Sequence, residues 1–156
     1  VSVPDGVYLV RNAASGLLLQ LEGGTRVRVG PEDPAGPPAA RQWRISPVHS
    51  GGGIVHVVSV HNDKRLDVAN ASTESGTRVQ VWRPNAFGAQ EWIVEEHLDD
   101  PGVVSLIACI SGLPLEGDEE GRARQCEDND SPSQWWRLEP VLPRPGGRGG
   151  AGWASP

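Results

Sequence analysis

Short apolar runs recur along the chain, each broken by a cluster of Gly, Pro, Asn or Asp. Runs of this length, bounded by turn residues, predict strands rather than helices. They also fall in a repeating order. An opening strand is read at Val7-Tyr8-Leu9-Val10, at Ile54-Val55-His56-Val57-Val58 and at Val103-Val104-Ser105-Leu106-Ile107. A polar turn follows each, then a second short strand at 17–21, 66–68 and 113–115. Gly-Thr-Arg-Val-Arg-Val at 24–29 is echoed by Gly-Thr-Arg-Val-Gln-Val at 76–81 and weakly by 121–126. Each unit closes on a tryptophan strand: Trp43, Trp92 and Trp136, spaced by 92 − 43 = 49 and 136 − 92 = 44 residues. An aliphatic residue stands two places after each Trp, so both point to the same face, and the three indoles are assigned to the core.

Three units of about four strands predict an all-β, pseudo-threefold, twelve-stranded β-trefoil, in which closure removes exposed sheet edges. A solenoid or a propeller is the rival, but three four-stranded blades fall below the usual propeller count. The repeats are placed at about 5–46, 54–95 and 103–139 of a domain covering 1–140. Residues 141–156 are read as a Pro/Gly-rich tail, with Trp153 as its one large apolar anchor.

Composition sharpens this picture. The 20 Gly and 14 Pro suit many tight connections and disfavour a helical fold. A net charge of −6 argues against nucleic acid or an anionic membrane as partner, and a neutral ligand fits it more easily. Cys109 and Cys126 are too few for a disulfide framework, and both are expected as small, buried, reduced thiols. No leader opens the chain, and no apolar run approaches the roughly 20 residues of a membrane span, so a soluble protein is expected, cytoplasmic or secreted. Asn70-Ala71-Ser72 and Asn129-Asp130-Ser131 match the glycosylation acceptor pattern, which matters only in a eukaryotic secretory route.

The Gln-x-Trp closing each unit, Gln90-Glu91-Trp92 and Gln134-Trp135-Trp136 with Arg41-Gln42-Trp43 as the divergent one, resembles the ricin B-type lectins and related xylan-binding modules. The middle repeat, from Arg65-Leu66-Asp67-Val68 through Gly76-Thr77-Arg78-Val79-Gln80-Val81-Trp82 to Gln90-Glu91-Trp92, carries the resemblance most strongly, and a free module of this size is similar to the fungal mushroom lectins. The resemblance implies a carbohydrate-binding protein that takes galactose or N-acetylgalactosamine, with Asp67, Val68, Gln80, Trp82, Asn85 and Gln90 as site residues.

The chemistry of those side chains agrees. A sugar presents hydroxyls at its edge and one apolar C–H face, so a site needs acceptors and donors for the first and an aromatic plane for the second. Asp67 supplies the charged acceptor and Trp82 the plane. Asn85 can donate and accept, Gln90 can steady Asp67 or the ligand, and Gln80 lies on the strand face of Trp82. The family commonly has Asn before Gln-x-Trp, where this chain has Ala89, and Asn85 is the candidate to make up the lost bond.

The outer repeats lack this set. Gln20 stands in place of Asp67, Gly30 in place of Trp82 and Arg41 in place of Gln90 in the first; Glu116 and Cys126 replace Asp67 and Trp82 in the third. Both sites are read as degenerate, so cross-linking of cells requires a homodimer. The acidic run 116–120 lacks the ligand order of a calcium loop and is read as a solvated hairpin tip. His49, His56, His61 and His97 have no metal-ligand spacing, no catalytic motif surrounds any nucleophile, and neither metal, cofactor nor enzymatic activity is expected. The rival functions are a β-trefoil protease inhibitor acting through a loop such as 31–38 or 98–102, and a sugar-silent protein-interaction module.

Overall fold

The computed structural model describes residues 3–142. Trp153 and the rest of the tail beyond residue 142 lie outside them. Twelve strands form: β1 Gly6–Asn12, β2 Leu18–Leu21, β3 Val27–Gly30, β4 Trp43–Pro47, β5 Ile54–Ser59, β6 Arg65–Val68, β7 Thr77–Trp82, β8 Trp92–Glu96, β9 Val103–Ala108, β10 Leu115–Gly117, β11 Ala123–Gln125 and β12 Trp136–Pro140. Helical structure among the described residues is confined to 3₁₀ turns such as Gly88–Gln90 and Pro132–Gln134.

Antiparallel pairs β1–β4, β4–β5, β5–β8, β8–β9, β9–β12 and β12–β1 run in a closed ring, so these six strands make a barrel with no free edge. The hairpins β2–β3, β6–β7 and β10–β11 cap one end, one from each repeat. This is the β-trefoil.

Trp43, Trp92 and Trp136 occupy equivalent places, each with no exposed surface. An indole cannot be buried this deeply without a partner for its N–H. Each finds the same one: Nε1 donates to the carbonyl of Leu19 at 2.8 Å, Leu66 at 3.1 Å and Leu115 at 3.0 Å. These carbonyls belong to the first strands of the caps, β2, β6 and β10, each one residue before Gln20, Asp67 or Glu116. A barrel strand thus anchors the hairpin of its own repeat. Around the indoles pack Val10, Ile45, Val57, Leu66, Val81 and Leu106, all fully buried.

Three expectations shift in register. The second strand of the third unit is Leu115–Gly117, two residues later than 113–115. Glu116 and Gly117 therefore lie in β10, and only the end of the acidic run makes the hairpin tip, where Asp118 Oδ1 accepts the backbone N–H of Glu120 and Arg122 at 2.9 and 2.8 Å. Cys109 and Cys126 fall just past the ends of β9 and β11 and are half-buried, not buried, because each strand ends at the residue before its cysteine. Both thiols are unbridged, and burial pushes both above the ordinary thiol range.

The caps meet closely on the threefold axis. Gly121 has φ +83° and its carbonyl accepts the Val29 N–H at 2.8 Å, so an added Cβ would stand 2.8 Å from the Val29 oxygen. Gly121→Ala should lower unfolding stability by about 2 kcal/mol or more from left-handed strain and overlap together. Gly24→Ala, which has open space and ordinary φ, should stay within about 0.5 kcal/mol of the parent. Urea unfolding of the two variants checks this; equal stabilities contradict the close approach.

Candidate functional site

The β6–β7 hairpin builds the middle-repeat cleft. Its register sets Asp67 opposite Gln80 and Arg65 opposite Trp82. Because side chains alternate along a strand, Arg78, Gln80 and Trp82 share one face of β7, while Val79 and Val81 enter the core. Asp67 keeps only 5% of its surface exposed. Its Oδ1 accepts from Gln80 Nε2 at 3.3 Å and its Oδ2 from Gln90 Nε2 at 3.0 Å.

Gln90 is fully buried on the 3₁₀ turn Gly88–Gln90 and spends its whole amide on protein partners. Nε2 also donates to the Arg83 carbonyl at 2.9 Å, and Oε1 accepts the Asn85 N–H at 3.1 Å and Arg65 Nη1 at 3.5 Å. It ties Asp67 to the 83–85 loop. Asn85 Oδ1 accepts the Phe87 N–H at 3.0 Å and closes a turn, so its side chain faces the cleft with the amide nitrogen as its remaining group.

The cleft has a volume of about 460 Å³. Asp67 and Gln80 line it together with Asn85, Ala89, Trp82 and Phe87. Trp82 is 40% and Phe87 70% exposed, so two aromatic rings border a buried carboxylate. Asn70 and Ala71, with φ +57° and +52°, turn the chain along another edge. Of the six residues expected from sequence, Asp67, Gln80, Trp82 and Asn85 come together around this space and Gln90 stands behind it. Val68 does not join them: its side chain is fully buried in the core cluster, because its neighbour Asp67 takes the outward position on a strand. Phe87 and Arg78 escaped sequence reasoning. For Phe87 a signal existed, since the chain's one phenylalanine lies in a polar turn. For Ala71 none did, because alanine does not announce a left-handed conformation.

The same positions in the outer repeats are filled differently. In the third, Glu116 accepts from Gln134 Nε2 at 2.9 Å, and Gln134 Oε1 accepts the Asn129 N–H at 3.1 Å, which repeats the Asp67, Gln90 and Asn85 arrangement. But the residue opposite Glu116 is Arg124, where Asp67 faces Gln80, and its Nη2 lies 3.7 Å from the Glu116 carboxylate. Cys126 stands in the place of Trp82. In the first repeat, Gln20 Nε2 is spent on the carbonyls of Gly30 and Pro31, both at 3.0 Å. Arg41 pairs with Glu32 at 3.2 Å, and the Arg28 guanidinium lies over Gly30, 2.6 Å from where a Cβ would be.

A closed six-stranded barrel with three caps defines the β-trefoil. The chain belongs to the ricin-type β-trefoil lectin domain-like family, whose model matches residues 1–82 of the 156. No curated protein sequence matches it. Among solved structures, it is similar to a designed threefold-symmetric protein, ThreeFoil, with 27% identity and a TM-score of 0.76 over 88% of this chain and 100% of that one. The Macrolepiota procera ricin B-like lectin, solved in complex with lactose, is 16% identical with a TM-score of 0.73, over 90% and 100% of the two chains. The Polyporus squamosus lectin, solved bound to the human-type influenza-binding epitope Neu5Aca2-6Galb1-4GlcNAc, is 20% identical with a TM-score of 0.73. That match covers 88% of this chain, which spans 50% of the Polyporus chain. At these identities the two lectin likenesses are likenesses of fold.

Burial raises the Asp67 carboxyl above the ordinary carboxylate value, and the bonds donated by Gln90 and Gln80 oppose the shift without cancelling it. A raised folded value means that the native state binds the proton more tightly than the unfolded chain. The associated stability is fully present below the unfolded value and is lost as pH rises through the folded one. Asp67→Asn should remove that slope from urea unfolding followed across the acid range, and carbon-13 titration should place the Asp67 inflection above about 3.9. An inflection at or below that value contradicts the burial argument.

Proposed function

We propose that the protein is a carbohydrate-binding lectin that takes a galactose or N-acetylgalactosamine type of sugar in the single cleft of its middle repeat. The observation that carries this is a buried, amide-held carboxylate beside a solvent-facing indole. Asp67 accepts from two adjacent sugar hydroxyls, while its bonds to Gln80 and Gln90 hold it in place before the sugar arrives. Such preorganisation lowers the ordering cost of binding. Trp82 stacks on the apolar C–H face, Phe87 closes the opposite rim, and the Asn85 amide donates to a ring-edge oxygen. Ala89 leaves room in the floor where relatives of the resembled kind carry an amide. The galactose preference rests on the family resemblance, and the family membership and lectin neighbours support glycans as partners at the coarser level.

A glycan array followed by titration calorimetry tests the reading. Asp67→Ala should lose binding, since unpaired sugar hydroxyls and unpaired Gln80 and Gln90 donors cost about 1–3 kcal/mol each. Trp82→Ala should weaken binding roughly tenfold through loss of the stacking face. Glu116→Ala should leave affinity unchanged, because Arg124 already engages that carboxylate and Cys126 offers no plane. No loss at Asp67, or equal losses at Asp67 and Glu116, would falsify the middle-repeat assignment.

A further inference from the structure

A second cleft, larger than the one with the tryptophan, is present. It lies where the three caps converge on the pseudo-threefold axis, with a volume of about 680 Å³. Five arginines line it, Arg26, Arg28, Arg78, Arg122 and Arg124, against two acids, Glu22 and Glu120, in a chain whose net charge is −6.

The arginines sit at the junctions between repeats. Cross-strand bridges pair Arg26 with Gln80, Arg28 with Arg122 and Arg78 with Arg124. Like charges directly opposite each other on paired strands are destabilising, and two of the three junctions consist of arginine facing arginine. The acids nearby offset this in part. Arg28 meets Glu22 at 3.2 Å, Arg122 meets Asp118 at 2.7 Å and Glu120 at 2.9 Å, and Arg124 meets Glu116 at 3.7 Å and Asp118 at 3.5 Å. Arg26 and Arg78 make no ion pair among the described residues. Arg124 Nε is buried and has no hydrogen-bond acceptor, its 3.5 Å approach to Asp118 falling outside bonding geometry. The open donors are therefore Arg26 and Arg78, whereas Arg124 Nε is closed off between Asp118 and Glu116; two guanidinium groups without a counter-ion in one cleft describe a place for an oxyanion.

Arg78 borders this cleft and the middle-repeat cleft alike. It donates to Gln80 Oε1 at 3.2 Å, and Gln80 in turn donates to Asp67. Arg78 and Trp82 lie four residues apart on one strand face, about 13 Å along the strand at roughly 3.3 Å per residue. We propose that the axis cleft is an anion subsite, which takes the sulfate or carboxylate groups of an acidic oligosaccharide whose neutral ring occupies the Asp67 and Trp82 cleft. This rests on the sugar-binding reading of that cleft. A neutral sugar fills the first cleft and the acid of the same oligosaccharide reaches the second, so a protein of net charge −6 still takes an acidic glycan.

The probes are a sulfated galactan oligosaccharide, its desulfated form and an oligogalacturonate of equal length, titrated into the full chain. The acidic probes should bind at least about tenfold more tightly than the desulfated one. Preference for sulfate alone or for carboxylate alone identifies which oxyanion the subsite takes. Raising salt to about 1 M, where charges are screened beyond roughly 3 Å, should erase the preference. Arg26→Gln combined with Arg122→Gln should erase it too, with desulfated binding unchanged, and Arg26→Gln alone, at an exposed side chain without an ion pair, should reduce it in part. Equal binding of all three probes, or a preference that survives both variants, overturns the subsite while leaving the lectin reading intact. Acidic binding that is lost in the arginine variants but untouched by Asp67→Ala upholds the anion subsite and removes its link to the sugar cleft. A single-stranded RNA of equal charge that matches the acidic glycans overturns a glycan as occupant.

Discussion

Everything in this molecule hangs on an indole N–H that has lost its water. Burying Trp43, Trp92 and Trp136 completely removes large apolar surfaces from solvent, but each carries one donor that must be satisfied inside. The nearest acceptors are the carbonyls of Leu19, Leu66 and Leu115, one in each cap. A barrel strand and a cap hairpin of the same repeat are thereby tied at one fixed depth. The residue after each leucine then has to face outward, and in the middle repeat that residue is Asp67. The position of the carboxylate follows from the core.

The cleft is held by a second set of bonds that lies across this frame. Gln90 joins Asp67, Arg65 and the 83–85 loop, and Gln80 joins Asp67 to Arg78. A carboxylate buried to this degree would ordinarily be costly. Two amide donors lower that cost without a counter-charge, which leaves its free lone pairs for hydroxyl groups. In the third repeat the opposite solution appears, where Arg124 takes the place of Gln80 and binds the acid directly. One exchange, amide for guanidinium, separates a carboxylate held by two neutral amides from one engaged in an ion pair.

The repeats were legible in the chain because the closing tryptophans recur with aliphatic partners at strand spacing, and the caps because Gly-Thr-Arg-Val is copied between the first two units. Asp67, Gln80, Trp82 and Asn85 were legible through the spacing of one repeat. Val68, expected beside Asp67, turns its side chain into the core, because neighbours in sequence face opposite ways on a strand. The third hairpin slipped by two residues because its turn is fixed by Asp118 bonding to backbone two and four places on, a choice that an acidic run conceals. The arginines at the axis were hidden for a different reason. A net charge sums over the whole chain, whereas Arg28 and Arg122, or Arg78 and Arg124, are brought face to face only by pairing between repeats.

The shared anchor also separates what keeps the protein folded from what it can recognise. The indole-to-leucine bonds and the valines beneath them lie on the inner face of each cap, and the residues at 28, 80 and 124 or at 30, 82 and 126 lie on the outer one. Drift at the outer positions therefore proceeds without dismantling the barrel, and a lost pocket leaves its scaffold intact. In the third repeat Glu116, Asn129 and Gln134 stand in the arrangement of Asp67, Asn85 and Gln90, with Cys126 where Trp82 stands in the middle one. A few outward-facing exchanges can therefore remake the surface of one cap while the architecture stays the same.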